Sequence, residues 1–156
     1  MAMQIPDTVI YNDAIYETGA YCADLLKPYL EKHHIELFAD CSALWRGYIA
    51  TWKIESGMLY LIGIYANVTG VQSQRHIKYQ KGTILSLLSD EAMGMDYLFP
   101  YQSKVLADWY SGNLPVHYEN ASKEESKYLI FKVANGHIIG QEQVTEQEYY
   151  NYPIYR

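Results

Sequence analysis

Apolar and polar positions alternate with a period of two along much of this chain, and short polar clusters break the runs. The longest example is LWRGYIATWKIESGMLYLIGIYA, residues 44–66. Tyr48, Ala50, Trp52 and Ile54 fall on one face of its first run, and Gly47, Ile49, Thr51 and Lys53 on the other, the pattern of a β-strand. Glu55-Ser56-Gly57 supplies the turn. In the second run Met58, Tyr60, Ile62 and Ile64 alternate with Leu59, Leu61, Gly63 and Tyr65. Both faces are apolar, which predicts a central strand covered on both sides. Upstream, TVIYNDAIYE sets Asn12-Asp13 between two β-prone runs, a two-residue hairpin signal because both residues tolerate positive φ. Downstream, YLIFKVANGHIIGQEQV sets Asn135-Gly136 between alternating runs and predicts a type I′ hairpin. KVLADWYSGNLPVHYE reads as a fourth run, turn and run, with Ser111-Gly112-Asn113 as the turn. Pro115 makes its second run an edge strand or an early stop.

Helical periodicity is sparse. Leu25, Leu26, Tyr29 and Leu30 recur at helical spacing, and Pro28 fits only the first turn of a helix, so a short helix opens near Pro28. Residues 83–95 fit helix and strand equally. Residues 67–81 are polar and read as an exposed excursion, 120–127 as a solvated loop, and the tail TEQEYYNYPIYR as extended or loosely docked. Four hairpin signals and at most two helices predict a mainly β (α+β) fold in a single domain over residues 1–156. Its form would be an antiparallel, strongly curled sheet or a partly open barrel of hairpins with one or two short helices.

Composition adds two constraints. Seventeen tyrosines stand out; the residue suits strands and protein contacts alike, because its ring is large and rigid while its hydroxyl stays wet. The formal net charge of −6, with twelve basic residues scattered along the chain, argues against nucleic acid as a partner. An acidic surface instead suits a basic protein. Cys22 and Cys41 make no CxxC and no disulfide framework. The start of the chain lacks the basic-then-apolar order of a secretory signal, and no apolar run nears the roughly 20 residues that cross a bilayer. A cytoplasmic protein without a membrane partner is expected.

Sequence signals for catalysis are absent: the chain has no GxSxG, P-loop or GxGxxG. His33-His34 diverge on a helix, and His117 with Glu119 shares a strand face without a third ligand, so neither a metal nor a cofactor is expected. Asp108 lies inside the apolar run VLADWYSG, where burial would demand a partner. Arg46, beside Trp45 and Tyr48, is the candidate. Trp45, Arg46, Tyr48, Trp52, Asp108, Trp109 and Tyr110 are therefore the candidate ligand- or partner-binding residues. The bland alternative is an Arg46–Asp108 pair that only fixes sheet register.

Arg46, Gly47, Tyr48, Ala50 and Trp52, the turn Leu98-Phe99-Pro100 and the segment from Ala107 to Gly112 together carry a resemblance. The chain resembles a group of small uncharacterised bacterial proteins sharing R-G-Y-x-A-x-W-x-I, L-F-P and A-D-W-Y-S-G, over roughly residues 8 to 140. NLPVHYENASKEE is shorter than the group's usual segment there. The resemblance implies an immunity-type partner of a bacterial toxin. The expected function is thus an immunity or inhibitor protein that occludes its partner through an acidic, tyrosine-rich surface. A small-ligand binder or enzyme using a Trp/Arg/Asp pocket is the alternative, and a homodimer stays open.

Overall fold

The computed structural model describes residues 6–18, 24–37, 46–66, 94–118 and 128–152. Among the described residues, eight strands form one sheet. The first hairpin joins β1 (Thr8–Tyr11) to β2 (Ala14–Thr18), and the second joins β3 (Tyr48–Glu55) to β4 (Met58–Ala66). The two-residue β5 (Val105–Leu106) precedes β6 (Gly112–His117), and β7 (Tyr128–Ala134) turns into β8 (His137–Val144). The hydrogen-bonded order is β3-β1-β2-β6-β7-β8-β4, and β4 pairs again with β3 to close a ring of seven; β5 is an extra strand on β4. The mainly β, barrel-like expectation therefore holds.

Three of the turns follow from their residues. Asn12 and Asp13 (φ 49° and 62°), Ser56 and Gly57 (52° and 73°), and Asn135 and Gly136 (47° and 81°) all have positive φ, as the tight hairpins of a right-twisted sheet require. Neighbouring strands run antiparallel except β1 and β3, which are parallel with Val9 opposite Trp52 and Tyr11 opposite Ile54. That pairing joins elements far apart in sequence, and no local pattern encodes it.

The barrel interior is filled from alternate positions. Tyr48, Ala50, Trp52 and Ile54 of β3 are buried, as their spacing predicts. Along β4 the buried set is Leu59, Leu61, Ile64 and Ala66. It changes parity because the β3–β4 register slips beside Thr51 and Trp52, leaving Ile62 as an extra residue. A bulge thus explains why both faces of this strand read as apolar. Leu114, Val116, Leu129, Phe131 and Val133 complete the wall from β6 and β7.

The segment from Ala107 to Gly112 corrects the fourth hairpin expectation. Ser111, Gly112 and Asn113 do not reverse the chain between paired strands: β5 pairs with β4, whereas β6 pairs with β2 and β7. Instead the segment is a strap. Ala107 N–H donates to Leu59 O at 2.9 Å, and Gly136 N–H donates to Tyr110 O at 3.0 Å, tying β4 to the tip of the β7–β8 hairpin. Pro115 neither stops β6 nor makes it an edge, since β6 lies between β2 and β7; it is accommodated because, among the described residues, β2 reaches only Val116 and His117.

Helices are short. α1 (Lys27–Lys32) opens next to Pro28, which sits in its first turn as expected, and α2 (Met95–Leu98) is a single turn. The tail, expected to be extended or loosely docked, holds α3 (Glu146–Tyr150). Thr145 and Glu148 form a reciprocal capping box there, and Tyr149 packs with Ile130 and Val144 on the outer face of the sheet. Most of the ambiguous stretch 83–95, the polar excursion 67–81, the loop 120–127 and both cysteines lie outside the described residues. No helix among the described residues is long and apolar enough to cross a membrane.

Candidate functional site

Arg46 finds a different partner from the one its sequence context suggests. Its guanidinium meets the Asp7 carboxylate at 3.1 Å, with the two side chains 3% and 0% exposed. Asp7 precedes β1 and accepts three hydrogen bonds: from Arg46, from Ala50 N–H at 3.2 Å and from the Trp52 indole at 2.9 Å. Its own N–H donates to Thr18 Oγ1 at 3.0 Å. Arg46 also donates to the Tyr48 hydroxyl and lies 4.7 Å from that ring's centroid. Tyr48 in turn donates to Asp24 Oδ1 at 2.6 Å. That oxygen also receives the N–H groups of Leu26 and Lys27 at the entry to α1.

Electrostatics at this cluster follow from burial. Desolvation pushes the Asp7 carboxyl above its ordinary 3.8, while Arg46, the Trp52 indole and the Ala50 amide pull it back. The Tyr48 phenol stands well above 10.0, raised first by burial and then by Asp7. It remains a hydrogen-bond donor. With Asp7, Tyr48 and Trp52 wholly enclosed, the cluster offers no surface to a substrate. Its work is to fasten the N-terminal segment and α1 to the start of β3.

The remaining candidates separate. Asp108 is exposed, so the expected Arg46–Asp108 pair is corrected: apolar neighbours in sequence do not bury a residue in a strap between strands. Trp109 donates its indole N–H to Leu25 O at 2.7 Å, and its ring meets Tyr29 at 4.9 Å and Phe99 at 6.1 Å. Tyr110 is buried and donates to Asn113 O at 2.8 Å. Trp45 lies outside the described residues. Structure therefore brings Arg46, Tyr48 and Trp52 together, adds Asp7 and Asp24, and sends Asp108, Trp109 and Tyr110 elsewhere. Asp7 was readable only as a carboxylate beside Pro6 at the start of a strand, a place that turns also favour.

Two accessible features remain. At the far end of β1 a cleft of about 520 Å³ runs between the first two hairpin turns and β8, lined by Tyr11, Asp13, Lys53, Glu55, Phe131 and Gln141 among others. Glu55 is held below the usual carboxylate range by its Lys53 hydrogen bond and by Lys104. The second feature is the outer surface of β8 and α3. From Val133 to Tyr152 the chain has Glu142, Glu146 and Glu148 but no Lys or Arg. All three glutamates are exposed, as are Gln141, Gln143 and Tyr150. Tyr128, Tyr149 and Tyr150 form a contiguous aromatic group on the same side, with centroids 4.8 and 5.2 Å apart along it. His117 adjoins it, its Nδ1 3.2 Å from the Tyr149 hydroxyl.

Among the described residues, no three His, Cys, Asp or Glu side chains are grouped to hold a metal ion. Comparison of the chain with family models, curated proteins and solved structures gives no match.

Proposed function

We propose that this protein is a cytoplasmic binding protein of the immunity or inhibitor class, which neutralises a bacterial toxin by covering it rather than by catalysis. The observation that carries the reading is the outer face of β8 and α3, where three exposed glutamates and Tyr150 stand on a stretch without lysine or arginine. Such a face complements a basic surface, and tyrosine supplies contact area with little ordering cost. Enclosure of Arg46, Tyr48 and Trp52 supports it from the other side, because the residues that looked most like a pocket are occupied in holding the fold.

Co-expression with a toxin encoded next to the gene is the test. Restored growth and a complex that survives purification are expected, with association slowing as salt is added. No rescue and no complex would sink the reading.

A second reading rests on the cleft beside Asp13 and Glu55. Its size falls within the roughly 300–1,000 Å³ typical of small-ligand sites. Saturable binding of a small molecule, abolished by a bulky substitution at the exposed cleft residue Gln141, would favour it.

A further inference from the structure

The β7–β8 hairpin leaves the barrel on one side. β8 meets β4 at a single residue pair, Met58 with His137, reinforced by Ile138 N–H donating to Gly57 O at 2.8 Å. Beyond that point β8 is paired with β7 alone among the described residues.

Register shows which main-chain groups face away from β7. Ile138 lies opposite Val133 and aims its N–H outward, to Gly57. Phe131 and Leu129 follow Val133 at two-residue steps along β7, and Gln141 and Gln143 lie opposite them. Antiparallel pairs alternate in hydrogen-bonding direction with that period, so Gln141 and Gln143 also turn their N–H and C=O groups outward. The Gln141 side chain is drawn back by Tyr11, whose hydroxyl donates to Oε1 at 2.9 Å. Gln141, Glu142 and Gln143 are all exposed.

We propose that this edge of β8, at Gln141 and Gln143, takes an extended basic segment of a protein partner as an added strand. The inference rests on the inhibitor reading above and gives that surface its binding mode. Main-chain bonds would supply affinity, and side chains on the outer face of the added strand would lie beside Glu142. Charge selects the occupant. A second copy of this chain would bring its own glutamates against Glu142, Glu146 and Glu148, which like charges disfavour, whereas lysine or arginine at alternate positions is matched. The register slip that leaves Ile139 as an extra residue, and the short free span, also guard the edge against pairing with itself.

The probe is a short, end-capped peptide of alternating lysine and valine, set against its glutamate and valine counterpart and titrated into the isotope-labelled full chain. The lysine peptide should shift the amide signals of Gln141 and Gln143, and the glutamate peptide should not. Gln143→Pro removes an outward N–H without breaking the β7 ladder, and should weaken lysine-peptide binding about tenfold. Glu142→Lys should abolish it and needs no change of backbone, so it decides the matter if the proline variant fails to fold. Unmoved signals, equal binding of both peptides, or unchanged binding by Glu142→Lys would overturn the inference. Growth rescue without peptide binding removes the strand-addition mode and leaves the inhibitor reading standing. Peptide binding at β8 without rescue supports the edge as a peptide site and removes the inhibitor reading.

Discussion

Truncating Asp7 to alanine would leave the Arg46 guanidinium enclosed without its countercharge, and would take acceptors from Ala50 and Trp52 as well. Breaking a buried pair from one side typically costs about 3–5 kcal/mol. Asp7→Ala should lose stability on that order in urea denaturation. Asp108→Asn, at an exposed position, should change it by no more than about 0.5 kcal/mol; a loss as large as that of Asp7→Ala would contradict the assignment. Tyr48 gives the cluster a pH signature. Its folded-state pKa is raised above 10.0, so above about pH 10 the unfolded chain releases a proton that the folded chain keeps. Its contribution is therefore complete below pH 10 and is lost as the pH climbs through the raised value. Tyr48→Phe should be less stable at neutral pH yet decline less steeply than the wild type in alkaline denaturation series. Parallel slopes would count against it. Arg46, Tyr48 and Trp52 were legible as candidates, but the carboxylate that joins them was not: Arg46 stood out beside Trp45 and Tyr48, and its partner lies 39 residues away across a parallel strand pair.

Elements differ in how openly their residues declare them. The three two-residue turns were readable because Asn-Asp, Ser-Gly and Asn-Gly answer a local steric demand, positive φ, that few other residues meet. Pro28 marked α1 for an equally local reason. Thr145 and Glu148 also carried a local signal, the capping-box spacing, which the tail's dense tyrosines obscured. The segment from Ala107 to Gly112 was misleading because Ser-Gly-Asn suits a turn and a strap alike, and only the packing of Gly136 against it decides. A Cβ on Gly136 would stand 2.8 Å from Ala107 O and 2.9 Å from its carbonyl carbon, whereas one on Gly57 would meet nothing within 4 Å. Both glycines have positive φ, so alanine costs about 1–2 kcal/mol of backbone strain at either site. Gly136→Ala should lose clearly more than Gly57→Ala in thermal unfolding, because strap and hairpin tip must also separate. Equal losses would mean that the strap is not held there.

Closure belongs to the whole molecule. Alternation showed a curled sheet, but which edges meet is decided by the parallel β1–β3 pair and by one contact between β4 and β8, neither of which leaves a local trace in sequence. The result is a barrel whose N-terminal end is locked by an enclosed ion pair and whose final hairpin stands partly outside it with an acidic outer face. The residues on which the resemblance was read sit largely in the locked part: Arg46, Tyr48 and Trp52 surround Asp7, and Phe99 stacks near Trp109. They report on fold more than on partner. The proposed recognition surface is instead Glu142, Glu146 and their tyrosine neighbours, and growth rescue in the co-expression system tests that proposal most directly. Wild-type protein should restore growth against a toxin encoded beside its gene. The Glu142→Lys, Glu146→Lys double variant should still fold, less stably because the Tyr152 hydroxyl loses its Glu142 acceptor and α3 loses an acid from its first turn, and should fail to rescue. Rescue by the double variant equal to that of the wild type, or no rescue by the wild type itself, would contradict the account.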